Sequence, residues 1–382
     1  MQKVYFDNAA TTSVRPEVIT RMISVLEEDF GNPSSIHGYG RSAKNHIEQT
    51  RKNIANYLGV KASEIIFTSG GTEADNLVLH SAVRDLGVQH IITSKIEHHA
   101  VLHTVQEIEA NNGIKVSYVN IHQDGGIDYD HLKSLLSTST EKVLVSLMHV
   151  NNEIGTILDI RRVGSLCKDY DALFHSDMVQ SIGHLEVNLA ELHVDFTAVS
   201  AHKFHGPKGV GFAYIRKNSG LKPLIYGGEQ ERGYRAGTES VHNIVGMDEA
   251  LRLAYEHLAE EQQYVAAIKR YFVAQLQTQI EGVTFNANGC DPTHCTYTLI
   301  NVCLPIPEDK AGILLFHLDI NGIACSKGSA CQSGSSKGSH VLTEILCDED
   351  LKKPSVRFSF SKYNTKEEVD YVIRVLKEFI EN

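Results

Sequence analysis

Residues 199–211 read Val-Ser-Ala-His-Lys-Phe-His-Gly-Pro-Lys-Gly-Val-Gly, and the chain is organised around the lysine near their middle, Lys203. The residues before it, 194–200, and after it, 210–215, are rich in β-branched and apolar side chains, which predicts two short strands. Lys203 therefore stands in a Gly/Pro-rich turn, beside Ser200 and His202, with glycines that let a ligand approach the backbone. A lysine ammonium attacks a carbonyl only after losing its proton, and desolvation lowers its pKa readily. The turn is thus a candidate carrier for a carbonyl cofactor. Taken alone it reads more readily as a basic surface turn, so the decision rests on the rest of the chain.

Working outward, short apolar runs alternate with helical patterns: strands at 64–68, 90–93, 115–119, 143–148 and 172–174, and helices at 16–26, 42–58, 77–86, 100–111 and 129–136. Such alternation implies βαβ units on a mostly parallel sheet, whose ligands gather at the carboxyl ends of the strands. Polar clusters fall at those ends: His98 and His99, then Asn151, Asn152 and Glu153, then Asp177 and Gln180. The segment 69–76, Ser-Gly-Gly-Thr-Glu-Ala-Asp-Asn, is a Gly-rich turn running into a helix. Its free backbone N–H groups at the positive dipole end suit a phosphate, with a plain N-cap by Ser69 or Thr72 as the alternative. No Gly-Lys-Ser/Thr follows, so it is not a Walker loop.

Asp177 would be partly buried at its strand end and would need a cationic partner. The protonated pyridine nitrogen of pyridoxal 5'-phosphate supplies one, with Lys203 bonded to the aldehyde and the 69–76 turn on the phosphate. Further along, 30–40 is too rich in Gly, Pro and Ser for a regular element and reads as a site wall, and 225–240 is a second polar, Gly-rich loop. The stretch 247–280 keeps a 3.6-residue apolar period throughout. One long helix there would bridge two domains, with the boundary near residue 250.

The chain of 382 residues, 42% hydrophobic and 22% charged, has room for a sizeable core and the composition of an ordinary globular protein. A net charge of −11 argues against direct nucleic-acid binding. No apolar run is long enough to span a membrane, and residues 1–12 lack the pattern of a secretory signal, so a cytoplasmic protein with no membrane partner is expected. Seven cysteines form no C-x-x-C pair, so neither a disulfide framework nor a metal site is expected, and most should be small buried residues. Cys331 differs. It lies in 323–339, a Gly/Ser-rich stretch expected to be mobile and exposed, with Lys327 and Lys337 nearby to favour its thiolate.

These features carry a resemblance. Tyr-Phe-Asp-Asn-Ala-Ala-Thr-Thr at 5–12, Phe-Gly-Asn-Pro-Ser-Ser at 30–35, Thr-Ser-Gly-Gly-Thr-Glu-Ala-Asp-Asn at 68–76, Glu97-His98, His-Val-Asn-Asn-Glu-Ile-Gly at 149–155, Ser-Ala-His-Lys at 200–203, Gly-Ser-Ala-Cys at 328–331 and Arg-Phe-Ser-Phe at 357–360 span nearly the whole sequence. Together they resemble the cysteine desulfurases of the NifS/IscS type, in the class V aminotransferase branch of the fold-type I pyridoxal-phosphate enzymes. The implied fold is α/β. A large cofactor-binding domain, 16–250, has a mostly parallel sheet flanked by helices, and a smaller α/β C-terminal domain, 251–382 joined by 1–15, carries the nucleophile loop.

The resemblance implies pyridoxal 5'-phosphate as cofactor and removal of sulfur from L-cysteine, giving L-alanine and a persulfide on Cys331. Lys203 would hold the cofactor aldehyde, Asp177 the pyridine nitrogen and Gln180 the ring hydroxyl, while His98 would stack on the ring and move protons. Gly71, Thr72, Ser200 and His202 would bind the phosphate, with Thr238 reaching the phosphate of the other subunit in a homodimer. Asn152 would lie near both the cofactor ring and the substrate carboxylate, and Asn32 and Arg357 would bind substrate, Arg357 by pairing with its carboxylate. Lys327 replaces a usual serine. It could lower the thiol pKa, help dock an acceptor, or be a solvated loop charge. Cys325 raises the further option of an internal disulfide or sulfur relay.

The implied partner is a sulfur-acceptor protein, such as an iron–sulfur scaffold or a thiolation carrier. The chain ends at Asn382, short of the housekeeping members whose tail contacts that scaffold, so the acceptor stays open. Selenocysteine lyase, another class V aminotransferase-type activity, and an idle sulfur-carrier module on the same fold are the competing readings.

Overall fold

The computed structural model describes residues 2–327 and 338–381, so Cys331 and Lys337 lie outside the described residues. The chain opens with β1 (Val4–Tyr5), α1 (Pro16–Glu28) and α2 (Gly38–Leu58). It continues through β2 (Ile65–Thr68), α3 (Gly71–Leu86), β3 (His90–Thr93), α4 (His99–Asn112), β4 (Lys115–Tyr118), α5 (Tyr129–Thr138), β5 (Val143–Ser146), α6 (Ile160–Asp169), β6 (Leu173–Asp177), β7 (Phe196–Ser200) and β8 (Gly211–Ile215). Then follow α7 (Val241–Glu256), α8 (Leu258–Gln279), β9 (Thr284–Phe285), β10 (Leu299–Cys303), α9 (Glu308–Ala311), α10 (Leu314–Ile320), β11 (Ile323–Ala324), α11 (His340–Ile345), α12 (Asp348–Leu351), β12 (Ser355–Ser359) and α13 (Lys366–Glu381).

A seven-stranded sheet runs in the order β2-β8-β7-β6-β5-β3-β4. The β3–β4, β3–β5, β5–β6 and β6–β7 ladders are parallel, and β8 is antiparallel to both β7 and β2. Because β8 reverses twice, β2 points the same way as β3, β5, β6 and β7. All of them deliver their carboxyl ends to one edge, where β8 begins, and that edge gathers the polar clusters. Strands β2, β3, β5 and β7 are buried on both faces, as a sheet covered by helices requires, whereas the edge strand β4 is partly exposed. One apolar core lies between the sheet and α1, α2, α5, α6 and α7, and another between the sheet and α3 and α4.

A separate core forms around the antiparallel sheet β12-β10-β9, with α8, α13 and the N-terminal residues Val4 and Phe6. Two expectations need correction here. The single helix over 247–280 is two helices that meet at His257. The apolar period continues across the break, but Ala250, Leu251 and Ala254 pack into the first core and Val265, Ile268, Phe272 and Leu276 into the third, and a straight rod would not serve both. The helix expected from residue 42 starts at Gly38 instead, capped by the His37 side chain. The glycine that reads as loop is needed there, since a Cβ on Gly40 would meet the Ser35 carbonyl oxygen at 2.3 Å.

Candidate active site

Lys203 closes a single 3₁₀ turn, Ala201–Lys203, between β7 and β8, so the predicted strand–turn–strand setting holds. The turn opens into a cleft of about 470 Å³ at the carboxyl edge of the large sheet. Gly71, Thr72, His98, Asn152, Asp177, Gln180, Ser200, His202, Lys203 and Arg357 all line this one cleft. The structure therefore brings together residues drawn from six separate stretches of sequence. Asn32 and Thr238 are not among the lining residues: both sit on exposed loops outside the cleft.

The Gly-rich end of the cleft is built by α3. Its first helical residue is Gly71, and the N–H of Ala74 is the first to find a carbonyl, that of Gly70, so the preceding amides are free. Gly70 has φ 154°, and a Cβ on Gly71 would stand 2.6 Å from Val179 Cγ2, so this turn admits only glycine without rearrangement. Ser200 and His202 close the other side. His202 Nδ1 lies 3.1 Å from Thr11 Oγ1, and burial next to Lys203 and Lys208 lowers its pKa to about 4, leaving it a neutral donor.

Below the floor of the cleft lie three buried carboxyl groups. Asp177 Oδ1 accepts from Val179 N at 2.9 Å. Burial raises its pKa, while that amide and Lys203 pull it back. Asp75 has neither oxygen hydrogen-bonded, with His175 Nε2 3.3 Å away. Burial first, then the charges of Asp177 and Glu97, hold its pKa far above the carboxylate range. Glu97 is pushed by burial to about 8, although Met148 N and Ser94 Oγ donate to it. A cationic ring nitrogen set against Asp177 would supply the positive charge this floor lacks.

His98 is the N-cap of α4, and its Nδ1 accepts from Ala100 N at 3.1 Å. Burial, followed by Lys203 and the neighbouring histidines, lowers its pKa to about 4. It is therefore a neutral imidazole carrying its proton on Nε2. Lys203 Nζ donates to Ala9 O at 2.6 Å and Ala10 O at 2.9 Å, and Gln180 Nε2 donates to Ala9 O at 2.9 Å. The N-terminal segment is thereby drawn across the mouth. Arg357 comes from β12, with Nη1 on Asn152 O at 2.7 Å and Nη2 on the Asp7 carboxylate at 2.9 Å. It is 1% exposed, and its Nε has no partner.

The flanks of the segment holding Cys331 are fixed at this site. Ser326 pairs with the Arg357 backbone, and His340 Nε2 lies 2.9 Å from the Glu97 carbonyl oxygen. Burial pushes the Cys325 thiol up to about 12, which makes it a poor nucleophile or relay, and Lys327 is exposed.

Sequence reading missed Asp7, Glu73, Asp75, Lys208 and Glu97 as members of the site. Asp75 had a signal, being one helical turn from Thr72. Asp7 had none, because its partner is 350 residues away. The residues present fit pyridoxal phosphate: a glycine cradle with free amides, a lysine, an acid for the ring nitrogen and a neutral imidazole.

A class-V aminotransferase family model matches residues 4–372. The chain is 43% identical to the cysteine desulfurase IscS of Dictyoglomus turgidum, over 100% of this chain and 95% of that protein. It is also 43% identical to a putative cysteine desulfurase, IscS 1, of Bacillus subtilis, over 97% of this chain and 96% of that one. Among solved structures, a NifS-like protein superposes with a TM-score of 0.90 at 37% identity, covering 100% of both chains. SspA in complex with cysteine does so at 0.82 and 32%, covering 95% of this chain and 100% of that one.

Proposed function

The chain belongs to the class-V aminotransferase family, and from that premise we propose how its residues divide the work of a pyridoxal-phosphate-dependent cysteine desulfurase. The observation that carries the assignment is the convergence in one cleft of Lys203, Asp177, His98 and the free amides of α3. Pyridoxal phosphate, when bound, supplies the electron sink for negative charge on the substrate α-carbon. Gly71, Thr72, Ser200 and His202 hold the phosphate. Asp177 would serve the ring nitrogen, and His98 would lie beside the ring.

L-Cysteine places its carboxylate against Arg357 and Asn152. The Asp7 and Asn152 contacts keep the guanidinium in place at the cleft wall, and its remaining N–H groups would take the carboxylate. Lys203 Nζ takes the α-proton, and neutral His98 offers the Nε2 proton for return to carbon. The Cys331 thiolate attacks the substrate sulfur, forming S–S as C–S breaks. L-Alanine leaves, and Cys331 keeps the persulfide. An acceptor protein, an iron–sulfur scaffold or a thiolation carrier, then removes that sulfur. The anchored flanks at Ser326 and His340 support this role for the segment between them.

A homodimer fits the surface. Ile19, Ile23 and Leu26 form one face of α1 and continue into Phe30, Ile36 and Tyr39, all exposed, and a second copy would cover them and bring Asn32 and Thr238 to a cleft. Among the described residues no helix is long and apolar enough to cross a membrane. The exposed, unpaired thiols of Cys290 and Cys347 suit the reducing cytoplasm.

The test is alanine and sulfide production from L-cysteine by cofactor-loaded protein with a thiol reductant, alongside Cys331→Ala. Equal yields of both products, lost in the variant, are expected. Full sulfide yield from Cys331→Ala would refute the nucleophile. Cofactor uptake without either product would move the substrate to another amino acid, and a strong preference for selenocysteine would make the chain a selenocysteine lyase.

A further inference from the structure

Glu73 is the third residue of α3 and lines the cleft, so its carboxylate and a bound phosphate compete for the same positive helix end. The carboxylate is held aside. Oε2 accepts from Ser69 N at 2.9 Å, and Arg235 grips it with Nε at 3.0 Å from Oε1 and Nη2 at 3.4 Å from Oε2. The pair is largely shielded, the side chains being 25% and 12% exposed. Burial pushes the Glu73 pKa up, but the Arg235 and Ser69 contacts outweigh it, so Glu73 is ionised at neutral pH.

Arg235 reaches this point from the 225–240 loop, three residues before Thr238. Its seat is fixed one turn earlier. Both Glu231 oxygens accept from Arg51, at 2.7 and 2.8 Å, and one also accepts from Phe67 N at 2.8 Å, so the loop is tied to the outer edge of β2, the buried strand that leads into the Gly70–Gly71 turn. Left-handed backbone at Glu231, Arg232 and Gly233, with φ of 47°, 57° and 81°, turns the chain sharply between the Glu231 anchor and Arg235.

We propose that Arg235 is a positioning residue for the cofactor phosphate: by gripping and neutralising Glu73, it clears the N-terminus of α3 for a dianion. Without Arg235, an ionised carboxylate faces the phosphate across the same amides. The role rests on pyridoxal phosphate binding in this cleft, and it concerns the phosphate rather than the ring.

The full-length chain, stripped of cofactor, is titrated with pyridoxal 5'-phosphate and with pyridoxal, which lacks the phosphate. In Arg235→Gln the dissociation constant for pyridoxal phosphate rises about tenfold or more, the weight of one charge-assisted contact, while that for pyridoxal stays within about threefold. The double variant Glu73→Gln/Arg235→Gln recovers the wild-type constant, since the offending charge is gone. Equal losses for both aldehydes, no loss, or failure of the double variant to recover would each overturn the proposal. Arg235→Lys, which keeps a cation, retains most of the phosphate preference, and loss equal to that of Arg235→Gln would count against the charge argument. Wild-type protein that takes up neither aldehyde would overturn the cofactor reading itself. Normal wild-type uptake with normal Arg235→Gln uptake would overturn only the role of Arg235.

Discussion

Replacing Glu231 by glutamine isolates one charge in the wall of the fold. Glu231 and Arg51 are 1% and 2% exposed, and the carboxylate takes three hydrogen bonds, two from the guanidinium and one from Phe67 N. Glutamine keeps one acceptor oxygen but turns an NH₂ against the remaining donors. The Arg51 charge is then left with Glu48 at 3.1 Å, which is 35% exposed and partly screened, and with the Ile65 carbonyl. Removing one partner of a buried pair outright costs about 3–5 kcal/mol, and the retained oxygen brings the expectation to about 2–4 kcal/mol.

Urea unfolding followed by far-ultraviolet circular dichroism measures this, and the shift belongs to the transition in which the larger core melts. The apolar double variant Arg51→Met/Glu231→Leu should recover most of the loss. It still leaves Phe67 N and Ile65 O without side-chain partners, at about 1–2 kcal/mol. A loss below about 1 kcal/mol in Glu231→Gln would mean that water reaches the pair and that its apparent burial does not govern its energy.

Other perturbations follow from the cleft. Gly71→Ala places a methyl 2.6 Å from Val179 Cγ2 and displaces the first amide of α3, so the dissociation constant for pyridoxal phosphate rises. The rise should be about tenfold by absorbance titration, and an unchanged constant would show that the cradle yields. Arg357→Lys cannot hold Asn152, Asp7 and a carboxylate together, and KM for L-cysteine rises roughly 10–100-fold in steady-state assays. Glu97 keeps its proton up to about pH 8 when folded but only to about 4.5 when unfolded. Its contribution to stability is therefore complete below 4.5 and lost as pH rises to 8. Glu97→Gln should match wild type at pH 4.5 and gain on it steadily to pH 8 in chemical unfolding, and a constant difference across that range would refute the buried acid.

What the sequence disclosed was local. The turn around Lys203, the Gly-rich entry to α3 and the acid ending β6 each carry their chemistry within a few residues, so they could be read directly. The direction of β2 could not, because it depends on β8 reversing twice, and only that reversal brings the Gly70–Gly71 turn to the same sheet edge as Asp177. The break at His257 was hidden because the apolar period survives it while the face being buried changes partner. Carboxylates were the least legible. Asp75 and Glu97 are acidic residues in helical or turn sequence, and only the burial that the fold imposes, with Asp177 close by, gives them their raised affinity for protons.

The site also explains why motifs lie at both ends of the chain. Lys203 and the Gly70–Gly71 turn belong to the large sheet, whereas Arg357 belongs to the small one, held in register by Asn301 on β10 and by Ser326. Its guanidinium bridges back to Asn152 on one side and to Asp7, in the N-terminal strap, on the other. The same strap gives Ala9 and Ala10 carbonyls to Lys203. Any slide of the small core relative to the large one would therefore disturb Arg357 and Lys203 together. The two residues to which we assign the substrate carboxylate and the α-proton are coupled through residues 7–10. An Asp7→Asn variant, which weakens that link without emptying the cleft, should raise KM for cysteine more than it lowers pyridoxal phosphate affinity.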